Sequence, residues 1–482
     1  MRRYITAKYI LLACIVLLSI PVFCPAVPAA SLERSKTAGI IRAEALVLPD
    51  ETVGVLRAGS AKVNITPPLG VKLIGSYGKP SDSILDDLYA KALVLNDGDT
   101  TLAIVSLDLL YSPLEDITGP VREIITEKIG IPAQNILVCA IHTHSGPEVF
   151  SRSKLAPEKE VKADDIDQFY LGSLIRKIAG SVSIAYNNMQ DVKIGAAKGD
   201  LPEIIFNRRP RKPDGSVEMA FTLPEDVTAT REIVTDSEGN VKVTFTMPDN
   251  KELEFGPVDP EVCVLRVEDM DGGIVGSLVN FGCHPVSIYP HLSTAISADY
   301  PAYTTKVVED MEGGICLYAL GLAGNIVPIQ RGVEPRKQIG KAIGGEALRK
   351  MQFVATSGDV TLKALKKDVR FPTKKTSSPE KAEDADTTKG YITTEIQVLR
   401  LGDIYILGLP GEVLVEVGLE IKRRAGVEKL FIISICNDSI GYVCHKPAYD
   451  DGGYEPTSAT RLAKGAGEIM VSEALNLING IR

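Results

Sequence analysis

The chain has 482 residues, 45% of them hydrophobic and 24% charged, a composition that excludes a disordered polypeptide and supplies ample apolar side chain for a large core. Lys and Arg number 53 against 62 Asp and Glu, giving a formal charge of -9, and no basic block adjoins an aromatic run. Such a balance repels phosphate backbones, so nucleic acid is not an expected partner.

At the N-terminus Arg2, Arg3 and Lys8 precede an apolar run from Tyr9 to Phe23, and small residues follow at Ala26, Ala29 and Ala30. This is the pattern of a signal peptide over residues 1–30, cut near Ala29 or Ala30, with export to a periplasmic or extracellular space. The run is broken by Pro21 and Pro25 and is short for a retained membrane anchor. Residues 31–55 read as a flexible leader, and 56–482 as one catalytic domain.

Within that domain, two apolar runs flank Asn96-Asp97-Gly98 and predict a hairpin. Helical periodicity follows over 114–129, and a buried strand over 135–141 ends in His142-Thr143-His144-Ser145-Gly146. A helix over 165–186, a strand over 192–197 and a polar, Pro-rich stretch over 207–258 come next. A second hairpin turns at Asp271-Gly272-Gly273 and again ends in a histidine, His284. The pattern continues with a helix over 300–311, a strand over 315–322 and a helix over 335–354. After a polar loop at about 372–389, a third hairpin runs into a helix whose last turn carries Lys422, Arg423 and Arg424, where cations suit the dipole. A strand over 430–443 and a helix over 460–481 close the chain. The expected class is α/β, a mixed β-sheet core covered by helices on both faces, an αβα sandwich.

Cys14 and Cys24 leave with the signal peptide, and Cys139, Cys263, Cys283, Cys316, Cys436 and Cys444 are widely scattered. None forms a C-x-x-C pair, which argues against a thiolate metal site. Export permits disulfides, yet Cys139, Cys263, Cys316 and Cys436 lie in apolar runs and read equally as buried free thiols.

Chemistry concentrates at strand ends, where ligand sites form in open α/β sheets. Five histidines follow the signal peptide, and His142, His144 and His284 stand just beyond apolar strands. In extended backbone, residues i and i+2 share a face, so His142 and His144 suit two metal ligands, or one ligand and one proton shuttle. His291 and His445 fall in loops and read as surface residues. Glu412, opening a helix after Gly408-Leu409-Pro410-Gly411, would complete a two-histidine, one-carboxylate catalytic zinc set. Asp108 and Asp299, at a strand end and a helix start, are candidates to support ligands from behind.

The ordered set His142-Thr143-His144-Ser145-Gly146-Pro147, Asn207-Arg208, Cys283-His284-Pro285, Ser297-Ala298-Asp299-Tyr300-Pro301, Pro410-Gly411-Glu412, Asn437 through Gly441-Tyr442, and Tyr449 through Gly453-Tyr454-Glu455 resembles the N-terminal catalytic domain of the neutral/alkaline non-lysosomal ceramidases. The resemblance spans roughly residues 57–475. It implies a Zn2+ ion held by His142, His284, Glu412 and Tyr449, with His144 serving proton transfer beside the metal and Arg208 facing the scissile carbonyl. It further implies a small-molecule or lipid acyl-amide substrate, cleaved by metal-activated water, with peripheral membrane contact for reaching it. The oligomeric state is left open.

Departures bear on the substrate. Where the family has G-D-V-S-P with an active-site serine, this chain has Gly324-Asn325-Ile326-Val327-Pro328, and a second active-site tyrosine is replaced near Arg461. The resemblance covers the catalytic domain and not the family's carboxyl-terminal immunoglobulin-like domain. Two rivals to a zinc amidohydrolase follow: a metal-binding protein of this fold without turnover, and an esterase acting on a soluble acyl ester.

Overall fold

The computed structural model describes residues 56–76, 79–148, 167–248, 251–374 and 390–482. The signal peptide, the leader and most of the polar loop at 372–389 lie outside the described residues. The framework is a sequence of hairpins, each followed by a helix and a further strand. In the first, β1 (Arg57–Asn64) pairs antiparallel with β2 (Tyr89–Asn96), which turns through Asn96-Asp97-Gly98 into β3 (Thr101–Leu107). The turn forms because Gly98 takes φ 100° and Asp97 Oδ1 accepts the Thr100 amide at 2.7 Å. Helix α1 (Gly119–Ile129) then crosses over to β4 (Ile136–Ala140), which is parallel to β3.

The second unit repeats this. After α2 (Gln168–Asn187) and β5 (Gln190–Asp200), β6 (Glu261–Asp269) and β7 (Ile274–Phe281) form a hairpin. Its turn is held by Asp269 Oδ1, which accepts the Asp271 and Gly273 amides. Helix α3 (Asp299–Glu312) crosses over to β8 (Ile315–Leu320), parallel to β7. The resulting eight-stranded mixed sheet has the order β8-β7-β6-β5-β1-β2-β3-β4, antiparallel in the middle and parallel at both ends.

The third unit builds a separate sheet. Helix α4 (Val333–Met351) leads to β9 (Leu362–Pro372), β10 (Tyr391–Leu401), β11 (Ile404–Gly408), helix α5 (Val415–Ala425) and β12 (Lys429–Ile433), in the order β9-β10-β11-β12 with β11 and β12 parallel. Helix α6 (Ala466–Gly480) closes the chain.

Strand periodicity assigns each side chain to a layer. Leu93, Leu95, Ile104, Leu137, Leu265 and Leu278 of the large sheet form one buried cluster with Leu399, Ile406, Phe431 and Ile433 of the small one. The intervening residues Ala92, Val94, Val105 and Val138, and on the small sheet Val398, Leu407 and Ile432, belong to the helix-covered core. Helices α1 to α4 therefore lie over the outer face of the large sheet and α5 and α6 over that of the small one. The expected mixed α/β class with helices on both outer faces is what the chain adopts, and the structure adds a second sheet between them.

Two details differ from the expectation. Strand β9 was not anticipated, because Lys363, Lys366 and Lys367 mask its alternation; lysines of this kind blunt an exposed sheet edge. The polar stretch at 207–258 carries a small sheet of Glu232–Thr235, Val241–Thr244 and Pro257–Val258. The six cysteines among the described residues, Cys139, Cys263, Cys283, Cys316, Cys436 and Cys444, are free thiols and buried. No helix among the described residues is long and apolar enough to cross a membrane.

Candidate metal centre

The parallel pairs of the three units send their carboxyl ends toward one place. His142 follows β4, His284 follows β7 and Glu412 follows β11. Edge strand β4 is stitched to the turn after β12: Ala140 N donates to Ile435 O at 3.1 Å and Asn437 N to Val138 O at 2.7 Å. The Asn437 side chain accepts the Val138 amide at 2.8 Å. This seam joins the two sheets directly beneath His142. The backbone leaves its usual range here, with φ 69° at His142, 51° at Ile435 and 62° at Asn437, and such departures collect where a side chain must be aimed.

Each imidazole is oriented through Nδ1. His142 Nδ1 lies 3.0 Å from Leu110 O and His284 Nδ1 lies 2.5 Å from Ala323 O, so both Nδ1 atoms carry the proton and both Nε2 atoms present lone pairs. Those lone pairs face Glu412 Oε2, at 3.3 Å from His142 Nε2 and 3.2 Å from His284 Nε2. All three side chains are buried, and His142 Nε2 has no hydrogen bond. Burial and the charge of Arg208 lower the His284 pKa to about 4, which keeps that imidazole neutral. Acceptors facing a carboxylate in a dry site are suited to hold a cation between them. The spacing also fits: ligands at about 2.0–2.1 Å from a tetrahedral centre stand roughly 3.3 Å apart.

His142, His144 and His284 form a group that could hold a metal ion, with ring nitrogens within 4.8 Å of one another. His144 is the more accessible of the three and packs against Tyr289, ring centroids 5.4 Å apart. Glu412 is placed by Gly411, whose φ of 92° and whose contact with Gly441 O, 2.5 Å from where a Cβ would sit, leave room for no side chain. Glu412 then forms a short parallel ladder with Tyr442.

Tyr449 does not join this group. Its hydroxyl donates to Leu462 O at 2.9 Å, and its ring packs against the small cluster of Leu414, Cys444, Ala448 and Ala459. The tyrosine at the centre is Tyr442, its hydroxyl 3.4 Å from His284 Nε2 and its ring stacked at 12° to that imidazole. The resemblance implies Tyr449 as a ligand, whereas the tyrosine that lies beside His284 is Tyr442, and Gly441-Tyr442-Val443 repeats the pattern of Gly411-Glu412-Val413, its partner in the ladder. Tyr111 was missed as well; its hydroxyl donates to Glu412 Oε1 at 2.9 Å.

Arg208 is buried beside the centre. Its Nε donates to Glu455 Oε1 at 2.9 Å, and Nη2 donates to Gly324 O at 2.9 Å and to the Tyr442 hydroxyl at 3.1 Å. Nη1 has no partner among the described residues. Asn325 and Val327 have structural places: Asn325 accepts the Val415 amide and donates to Glu416, while Val327 pairs with Phe206 in a buried two-stranded ladder. Asp299 is buried and accepts the amides of Ile288 and Tyr300. His291 is exposed as expected, whereas His445 is partly buried near Glu416.

Compared with solved structures, the chain is similar to the neutral ceramidase of Pseudomonas aeruginosa, with a TM-score of 0.68 and 17% identity over 89% of this chain and 75% of that one. A ceramidase complexed with C2 matches with a TM-score of 0.67 and 16% identity, over 89% and 76% of the two chains. No family model matches the sequence. The protein thus has a neutral-ceramidase-like fold, carrying a buried group of side chains that could hold a metal ion.

Proposed function

We propose that this protein is an exported, zinc-dependent amidohydrolase that cleaves an N-acyl amide of the ceramide type. The observation that supports this most is the convergence of two imidazole lone pairs and one carboxylate oxygen at strand ends of a ceramidase-like fold. His142, His284 and Glu412 would hold the ion, with Tyr442 beside them. The chemistry that zinc supplies when bound is Lewis acidity and activation of water near neutral pH.

The protein's own groups do the rest. His144, the most accessible of the three histidines, would take a proton from the attacking water and return it to the departing amine as the C–N bond breaks. Arg208 Nη1 would donate to the carbonyl oxygen as it gains charge, while Glu455 and Gly324 O fix the guanidinium. Burial and the Glu412 charge raise the pKa of the Tyr442 phenol, and the Arg208 guanidinium opposes them.

Purified, zinc-loaded protein is expected to release fatty acid and amine from an N-acyl amide, and His142→Ala or Glu412→Gln to lower that rate on the order of a hundredfold or more. Absence of both bound zinc and hydrolysis would sink the reading. The buried Val327 favours a second one, metal binding without turnover, which predicts zinc in the protein and no cleavage of any acyl amide or ester. An esterase would cleave the ester and leave the matched amide intact. Export is tested by the N-terminus of protein recovered outside the cytoplasm, expected just after Ala29 or Ala30.

A further inference from the structure

Next to the metal centre, positive charge outweighs negative charge. Arg208 and Arg209 share one carboxylate, Glu455, at 2.9 Å and 2.5 Å. Arg209 also donates to the carbonyls of Ala448 and Gly452. A third guanidinium, Arg331, lies 3.7 Å above the ring of Phe221, and Arg208 approaches the same ring at 5.9 Å. Arg331 is held in place by two backbone carbonyls, donating from Nη2 to Phe221 O at 2.8 Å and from Nη1 to Tyr289 O at 3.3 Å. Its Nε is buried and makes no hydrogen bond.

Among the described residues no carboxylate lies within ion-pair distance of Arg331. Asp299, whose field it feels, is already engaged with the amides of Ile288 and Tyr300. A guanidinium has five N–H donors, and two of those of Arg331 are used. Burial and the nearby Arg208 make its charged form costly, lowering its pKa to about 10. Arg331 is nevertheless partly accessible, and Tyr289, which accepts its hydrogen bond, also packs on His144. A fixed, stacked cation with spare donors beside a reaction centre is built to receive an anion.

We infer that Arg331 is a specificity-determining residue, and that the substrate carries an anionic oxygen-acid group, a carboxylate or a phosphate, that docks on it. This rests on the hydrolase reading above and deepens it: an anionic amide would be preferred over neutral ceramide-like ones. A divalent ion held beside Glu412 would leave further positive charge in the same place, in the same sense.

The test is calorimetric binding of three octyl compounds with no scissile amide to the zinc-loaded protein: octyloxyacetate, octyl phosphate and neutral 2-octyloxyethanol. At least one anion should bind about tenfold or more tighter than the alcohol, as one charged hydrogen bond provides. The anion that binds tighter identifies the group. Arg331→Gln should erase the preference and Arg331→Lys keep part of it, with thermal unfolding of both variants near that of the parent. Equal binding of all three, binding of none, or a preference that survives in Arg331→Gln overturns the inference. Because these ligands are not cleaved, failure of the anion preference is distinguishable from failure of the hydrolase reading. Conversely, hydrolysis of neutral and anionic amides at equal rates would remove the inference alone.

Discussion

Each imidazole at the centre is aimed through its far nitrogen, so the coordinating lone pair is a consequence of the Leu110 and Ala323 carbonyls. The two tyrosines separate what the sequence blurs. Tyr442→Phe is expected to weaken metal binding by at least about tenfold, as loss of a group contacting a ligand does. Tyr449→Phe should leave metal affinity unchanged and cost about 1–3 kcal/mol, because Leu462 O loses its donor. Calorimetric metal titration and urea unfolding of both variants check this, and reversed effects would restore Tyr449 to the centre. Asp108 offers a pH test. Its carboxyl accepts the Tyr89 amide, and burial raises its pKa from 3.8 to about 6. The folded state therefore binds the proton more tightly than the unfolded one. The stability this gives is complete below 3.8 and is lost as pH rises through about 6. Asp108→Asn should accordingly gain stability relative to the parent between pH 4 and pH 7, measured by urea unfolding. A constant difference across that range would contradict the assignment. The histidines and Glu412 were legible because strand-end position and residue type coincide; Tyr111 was not, since nothing local marks a tyrosine that reaches 301 positions along the chain.

The hairpin, crossover helix and parallel strand recur as an element-scale unit, and each contributes to the centre from the carboxyl end of its parallel pair. The hairpins were readable from Asn96-Asp97-Gly98 and Asp271-Gly272-Gly273, whereas membership of two different sheets depends on contacts between residues far apart. Arg122 shows how that is settled. From α1 it donates to Ile136 O on edge strand β4 of the large sheet and to Glu395 and Gln397 on the interior strand β10 of the small one, tying the two sheets together. Arg122→Met leaves Glu395 with only Lys366 and is expected to destabilise the fold by about 3–5 kcal/mol. Urea unfolding measures it, and a change near zero would show that the two sheets need no such link. At Gly411 the constraint is steric. Gly411→Ala places a Cβ against Gly441 O at a positive φ, so both stability and metal affinity should fall, the latter because Glu412 is displaced.

For the whole molecule, the centre lies where two sheets meet, so a bound ion would link β4, β7 and β11 across both layers. Metal added at 100 times its dissociation constant should stabilise the fold by about 2.7 kcal/mol, seen as a rise in Tm that a chelator reverses. Fold class was available from the sequence because alternating helices and hairpins dictate a mixed sheet, while the four-layer arrangement was hidden by β9, whose lysine-rich edge does not look like a strand. The proposed anion preference is unreadable in the sequence for a physical reason: Phe221, Tyr289 and Arg331 come together only through folding, and none sits in a motif. The most direct test of the metal centre is anomalous scattering at the zinc edge from crystals of the zinc-loaded protein. The predicted result is one strong peak about 2.0–2.2 Å from His142 Nε2, His284 Nε2 and a Glu412 oxygen. A map with no peak between those three side chains, or with its zinc peak at other residues, would contradict the account.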